Sequence, residues 1–494
     1  MLTNWGRQTR SKFSKPTLIQ NGVWGIMSNI LQTLFVCLFF AIVARKYPAN
    51  EFARFLISNT VYQIVAAFSS MGLGQWFIRQ YAVEEDKITL TSKFLKTQAG
   101  LGLLFYLVNI VLAFSIYQDG RIILLCVILG TNIIFDNFIN ALRNLNIAEG
   151  KQYKTALILV IDGFFKLLIG CMLFIQPFSS VVLSVLMIVI RILTLSLFIK
   201  LGSSNSISLN LLIKAKISVE DLKQLIVKNW QFIVIGSISI IYWKIGNIII
   251  SKVLVLSNVA EYEISFRIFS VLQILPVVAS ATIYPQFIKL YNEKKIPELR
   301  ELYKNIFMGY MVFAVIAYTF MYSFAPVIIP FAFGNHYPGA VVCLQQMFLT
   351  YLLLPTVLLQ ANLIVTIGLE KMDMWFNVVS LFINIVGCLL GLYFVKNLLA
   401  VNYSVFVSFL VFHLLQDIVL IRRKFMNVKH CLSFYAAISL TIFCSYHFIG
   451  HLNPVVFFLS YSFAFALFSI IVLFFQKSKI GVSLGSLLRS FSRT

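Results

Sequence analysis

The sequence predicts an all-α polytopic membrane protein of about fourteen transmembrane helices. Three observations predict it. Of 494 residues, 60% are apolar or aromatic and only 12% are charged, against roughly 25% in soluble domains. The apolar residues gather into runs close to the ~20 residues that cross a hydrocarbon core. The basic residues separate by face. A soluble fold of this length has too small an interior for so much apolar surface, so soluble enzymes are excluded.

Taken in order, the spans run over 18–44, 55–78, 97–117, 122–142, 155–175, 178–199, 229–250, 262–287, 305–325, 340–365, 374–395, 403–421, 431–449 and 454–475. With the N-terminus placed inside, inside segments hold thirty of the 40 Lys and Arg and outside segments hold six, as the positive-inside rule requires. Both termini are then cytoplasmic. The net charge of +22 taken alone suggests nucleic acid; membrane topology explains it instead, and no nucleic-acid partner is expected. Arg7, Arg10, Lys12 and Lys15 precede an apolar run too long for a cleavable signal. The longest outside loop, roughly Pro326 to Gly339, leaves no room for an external domain. The polar, basic stretch 200–228 reads as a linker between halves. The seven cysteines are dispersed through apolar runs and read as small hydrophobes, with no metal site or cofactor.

The two halves repeat. Phe52-Ala-Arg-Phe-Leu-Ile-Ser58 enters span two, and Val259-Ala-Glu-Tyr-Glu-Ile-Ser265 enters span eight. At the exits, Phe77-Ile-Arg-Gln-Tyr81 faces Phe287-Ile-Lys-Leu-Tyr291. Asn21 and Trp24 face Asn229 and Trp230. Six spans per unit keep both copies in one orientation. Two six-helix lobes related by a pseudo-two-fold along the membrane normal are therefore expected, with a cavity between them. The boundaries are 1–213, 214–424, and an extra hairpin with a cytoplasmic tail over 425–494.

Several motifs resemble those of the polysaccharide transporter, or O-antigen (Wzx-type) flippase, branch of the multidrug/oligosaccharidyl-lipid/polysaccharide (MOP) exporter superfamily. They are Phe55 to Gln63 with Gly72-Leu-Gly74 and Trp76-Phe-Ile-Arg79, Tyr242-Trp-Lys-Ile-Gly-Asn247, Tyr262-Glu-Ile-Ser-Phe-Arg-Ile268, and Phe333-Gly-Asn-His-Tyr337. Asn247 stands where the family often has an acid, so no acidic role is carried over. The resemblance implies alternating-access flipping of an undecaprenyl-pyrophosphate-linked oligosaccharide across the bacterial inner membrane. It places spans one, two, seven and eight around the cavity. The implied partners are the lipid-linked oligosaccharide, membrane lipids, a proton or sodium gradient and polysaccharide polymerase machinery.

Ionisable residues within spans are costly and mark candidate sites. Asp136 and Asp162 lie level, about 20 Å from their shared inside turn if helical throughout. Lys166 and Arg191 lie at similar depth. The group is either a neutral structural cluster or an ion-coupling site at Asp136 and Asp162. Lys244 and Arg267 are level with each other on either side of an outside turn. Glu263, one helical turn before Arg267, can neutralise it, whereas Lys244 has no acid within its own span. Lys244 is thus expected either to meet a pyrophosphate or to snorkel to the headgroups. Arg267, Asn247, Asn59 and Gln63 complete the candidate substrate site. Tyr242 and Trp243 are candidates for sugar stacking or for an aromatic belt. His447 and His451 lack further ligands and read as interfacial. Asp417 is expected to pair with Arg422 and Arg423, and Glu84-Glu-Asp86 to be a solvated loop.

Two other classes compete. A multidrug exporter of cations should present acids to its cavity. A membrane-embedded polysaccharide enzyme should carry catalytic groups on large outside loops, and here those loops are short. No GxxxxGK[ST] sequence occurs.

Overall fold

Fourteen helical passes follow one another in the computed structural model, which describes residues 18–202, 237–448 and 453–477. Asn229, Trp230, His451 and most of the expected linker lie outside the described residues, as do the side chains of Asn21 and Trp24. The helices are α1 (Leu18–Lys46), α2 (Ala49–Ser69), α3 (Leu73–Val83), α4 (Lys87–Ile116), α5 (Gly120–Gly130), α6 (Asn132–Ala148), α7 (Gln152–Ile175) and α8 (Ser180–Leu197). They continue with α9 (237–253), α10 (Leu256–Asn292), α11 (Ile296–Phe333), α12 (Pro338–Tyr351) and α13 (Leu354–Thr366). The series ends with α14 (Glu370–Val395), α15 (Leu399–Arg422), α16 (Val428–Phe448) and α17 (Pro454–Lys477). Among the described residues, eleven passes are long and apolar enough to cross a membrane by themselves.

Three passes are split, and the breaks have local causes. The second divides into α2 and α3, where Met71 and Gly72 take left-handed backbone with φ of 49° and 58°, a region glycine enters without strain. The fourth pass divides at Thr131 and the tenth at Leu352–Leu353, before Pro355. The fourth pass of each lobe is therefore broken.

The lobes repeat in packing as well. In the first, α2 lies on α4 and α5, α5 on α8, and α7 on α8. In the second, α10 lies on α11 and α12, α12 on α15, and α14 on α15. The matched serines make matched bonds. Ser58 Oγ donates to Ile122 O at 3.1 Å, and Ser265 Oγ donates to Ala340 O at 2.9 Å. The hairpin α16–α17 packs on α11.

Two sequence expectations change. The outside stretch from Pro326 to Gly339 is mostly helix, because α11 continues to Phe333 through Pro326 and Pro330. Asp86 is not simply solvated loop: its carboxylate caps α4 by accepting from Thr89 N at 3.0 Å. The bonds from Thr89 hold that carboxyl below its usual range.

Candidate functional site

Among the described residues, each lobe buries an ionic cluster near the boundary between lobes. In the C-terminal lobe, Lys244 comes from α9 and Glu263 and Arg267 from α10. Lys244 Nζ lies 2.7 Å from Glu263 Oε1. The expectation of an unpaired Lys244 is therefore corrected. Its partner is on the neighbouring helix, and its ammonium also lies over the Phe266 ring at 4.7 Å. Lys244 does not snorkel, because these partners hold it buried.

Arg267 Nη2 is 2.6 Å from the same Glu263 oxygen. The contact is an ion pair without hydrogen-bond alignment, and Arg267 Nε is buried with no acceptor. The guanidinium stacks across the lobe boundary on Phe40 of α1, 3.7 Å from the ring centre. Asn247 donates to Glu263 Oε2 at 2.7 Å and to Thr60 Oγ1 of α2 at 3.1 Å. Two cations against one carboxylate leave this cluster at +1, with a spare Nε donor on Arg267 that suits an oxyanion.

The N-terminal lobe is balanced. Asp162 is fully buried and accepts from Lys166 at 2.5 Å, from Thr194 at 2.9 Å and from Arg191 at 3.4 Å. Arg191 Nε lies 3.1 Å from Asp136 Oδ1, and Tyr62 of α2 also donates to Asp136. Two acids and two bases sum to zero. Sequence depth brings these four together correctly, but it does not single out Tyr62 or Thr194.

Helix α2 touches both clusters, through Tyr62 on one side and Thr60 on the other. On the same helix, Asn59 is buried and Gln63 half-buried, and neither side chain makes a hydrogen bond among the described residues. The aromatic candidates serve packing instead. Tyr242 is hydrogen-bonded to Ser408 inside its lobe, and Trp243 packs on Phe266, Phe269 and Phe409. Tyr242 is buried, whereas Trp243 is half-buried. Asp417 does not pair with Arg422 or Arg423; it accepts from Gln360 at 2.6 Å and Tyr435 at 2.6 Å and pairs with His413 at 3.1 Å.

The lobes are latched at one end, the end that the distribution of basic residues is expected to place outside. Tyr337 donates to Ala44 O at 2.9 Å, and Arg45 reaches Phe331 O and Ala332 O. Tyr117 meets Ser251 at 3.0 Å, and Lys252 reaches Ile116 O. Deeper, the Asn247–Thr60 bond and a bond from Ser237 to Ala67 O at 3.3 Å also cross the boundary.

Comparison with known proteins agrees with this geometry. The chain is similar in structure to the lipid II flippase MurJ in an inward closed conformation, with a TM-score of 0.69 and 13% identity over 91% of this chain and 100% of that one. It is also similar to an inward-facing multidrug resistance MATE family transporter of the MOP superfamily, with a TM-score of 0.66 and 14% identity over 83% and 95% of the two chains. An outward-facing MATE structure gives a TM-score of 0.55 at 14% identity, over 86% and 95%. No curated protein matches the sequence. Residues 42–342 match the family model described as "Polysaccharide biosynthesis protein". That match covers more than half of the chain, which thus belongs to the polysaccharide biosynthesis protein family and has the fold of a MOP-superfamily membrane transporter.

Proposed function

We propose that the chain is a flippase for an anionic lipid-linked oligosaccharide, of the undecaprenyl-pyrophosphate type, in the bacterial inner membrane. The observation that carries this reading is the C-terminal cluster, which is buried between lobes, charged +1 and fitted with an uncommitted Arg267 Nε donor. A diphosphate would meet Arg267 first, with Lys244 supplying a second charge already shared with Glu263. Asn59 and Gln63 would supply hydrogen bonds to sugar. The family match supports a polysaccharide substrate, and the lipid II flippase fold supports a lipid-linked one. The outer latch corresponds to the inward-facing half of an alternating-access cycle with both termini cytoplasmic. The N-terminal quartet, already neutral, would lock its lobe.

A second reading, small-molecule export, draws on the MATE-like fold. An exporter of cations fits poorly, since neither cluster carries an excess of acid. Catalysis has no support in the site, and the function proposed is transport.

The test is deletion of the gene followed by analysis of lipid-linked intermediates. Single repeat units accumulating on the cytoplasmic leaflet are expected. Unchanged intermediates would favour the exporter.

A further inference from the structure

A second buried network lies in the C-terminal lobe, where α11, α13, α14, α15 and α16 meet. At its centre His413 is fully buried and Asp417 is 3% exposed. We propose that His413 and Asp417 form a proton-binding site, loaded with one proton in this conformation.

Two independent observations carry it. The first is charge. Asp417 is buried and accepts from Gln360 Nε2, Tyr435 Oη and His413. Among the described residues no Lys or Arg nitrogen pairs with it, and His413 is its ion-pair partner. Every other titratable group facing the pair is neutral or lies further out. Tyr303 belongs to α11, and Lys304 beside it is exposed. Cys431, Tyr435 and, further out, His430 belong to α16. From α13 come only Thr356 and Gln360. From α14 comes Asp373, held through Gln416 at 3.1 Å. The pair is therefore neutral with one proton and negative without it, and an uncompensated buried charge is strongly disfavoured.

The second observation is the hydrogen-bond pattern. Thr356 Oγ1 lies 2.8 Å from Leu353 O and 3.1 Å from His413 Nε2, so with its one hydroxyl hydrogen on Leu353 O its oxygen can accept from the ring. Tyr435 has one hydroxyl hydrogen, donated to Asp417 Oδ2 at 2.6 Å, so its oxygen faces His413 Nδ1, 2.7 Å away, as an acceptor. Nδ1 thus faces Asp417 and Tyr435 and Nε2 faces Thr356, a set of partners that an imidazolium satisfies at both nitrogens. Loading transfers a proton from water to the imidazole, and release returns it, with no other bond made or broken.

A cleft lies one layer of side chains away from the pair. Phe307 and Phe434, whose rings pack on His413, also line it with Tyr303, Lys304, Met311 and His430. That cleft lies on the side that the basic residues mark as inner. This contrasts with the Asp136–Asp162 quartet, which needs no proton to be neutral. If the transport reading holds, this is the proton through which a gradient would act, and that part rests on the proposed function.

The test uses the full chain, with ring-13C histidine, in lipid nanodiscs. Infrared spectra at about pH 7.5, well above the ordinary histidine range, should show an imidazolium signal that H413Q removes. If the proton rests instead on the carboxyl, D417N should remove a protonated-carboxyl band. Loss of neither band overturns the proposal. The double variant H413Q/D417N, neutral without a proton, covers poor folding of the single variants and should lack both bands. In cells, H413Q should abolish surface polysaccharide and accumulate lipid-linked units. Wild-type export by H413Q would overturn the coupling role. Unchanged intermediates in the whole-gene deletion would instead overturn the transport reading and leave the infrared result intact.

Discussion

Lys244 and Arg267 share one carboxylate oxygen, Glu263 Oε1, at 2.7 and 2.6 Å. The cluster's charge thus hinges on a residue that is itself 2% exposed at the side chain. Glu263→Gln would leave two buried cations facing each other. The expected loss is about 3–5 kcal/mol, the cost of breaking a buried ion pair by removing one partner. It should appear as a lower melting temperature in detergent. The double variant K244M/E263Q restores the cluster to +1 and should recover most of that loss.

The N-terminal quartet predicts an order between its acids. Asp162 is fully buried and meets Lys166, Arg191 and Thr194. Asp136 is 15% exposed at the side chain and meets Arg191 and Tyr62. Asp162→Asn should therefore cost about 3–5 kcal/mol, and Asp136→Asn less, about 1–3 kcal/mol. Thermal melts of the two variants check the order. Equal losses would contradict the packing difference.

The spans are legible in the sequence because a bilayer demands long apolar runs and leaves Lys and Arg outside them. The quartet is legible because helix rise converts sequence position into depth. The lateral direction of a side chain is harder to read. Lys244 and Glu263 sit at different Cα depths on opposite sides of an outer turn, and a flexible four-carbon stem bridges the gap. Asp417 and Arg422 are five residues apart, which turns them about 140° around the helix. That sends Asp417 inward to Gln360 and Tyr435. The helix breaks at Met71 and Leu352 depend on backbone geometry within apolar sequence that looks continuous.

The outer latch gives a conformational prediction. Tyr337→Phe removes the hydroxyl that bonds Ala44 O between the lobes while keeping the ring packed near Phe52. One such bond is worth about 0.5–1.5 kcal/mol net, so the outer-closed population should fall roughly two- to tenfold relative to outer-open. Spin labels at Gln118 and Lys396, on a background without the native cysteines, report the distance between outer ends. A broader, longer distribution in the variant is expected. An unchanged one would show that Arg45 and Lys252 suffice.

Arg267 provides the most direct prediction about the substrate. Its Nε is buried without an acceptor, and its plane rests on Phe40 of the other lobe. A hydrogen bond to a charged group contributes about 1.5–3 kcal/mol, so Arg267→Ala should weaken binding of undecaprenyl pyrophosphate about 10- to 100-fold. Arg267→Lys keeps the charge but loses the planar fork and the stack, and should fall between the two. Binding to the purified chain in nanodiscs measures this, with uncharged undecaprenol as the control. Equal weakening for the uncharged lipid would place Arg267 in structure and not in recognition. Selective loss for the pyrophosphate would tie the cluster's positive charge to the headgroup.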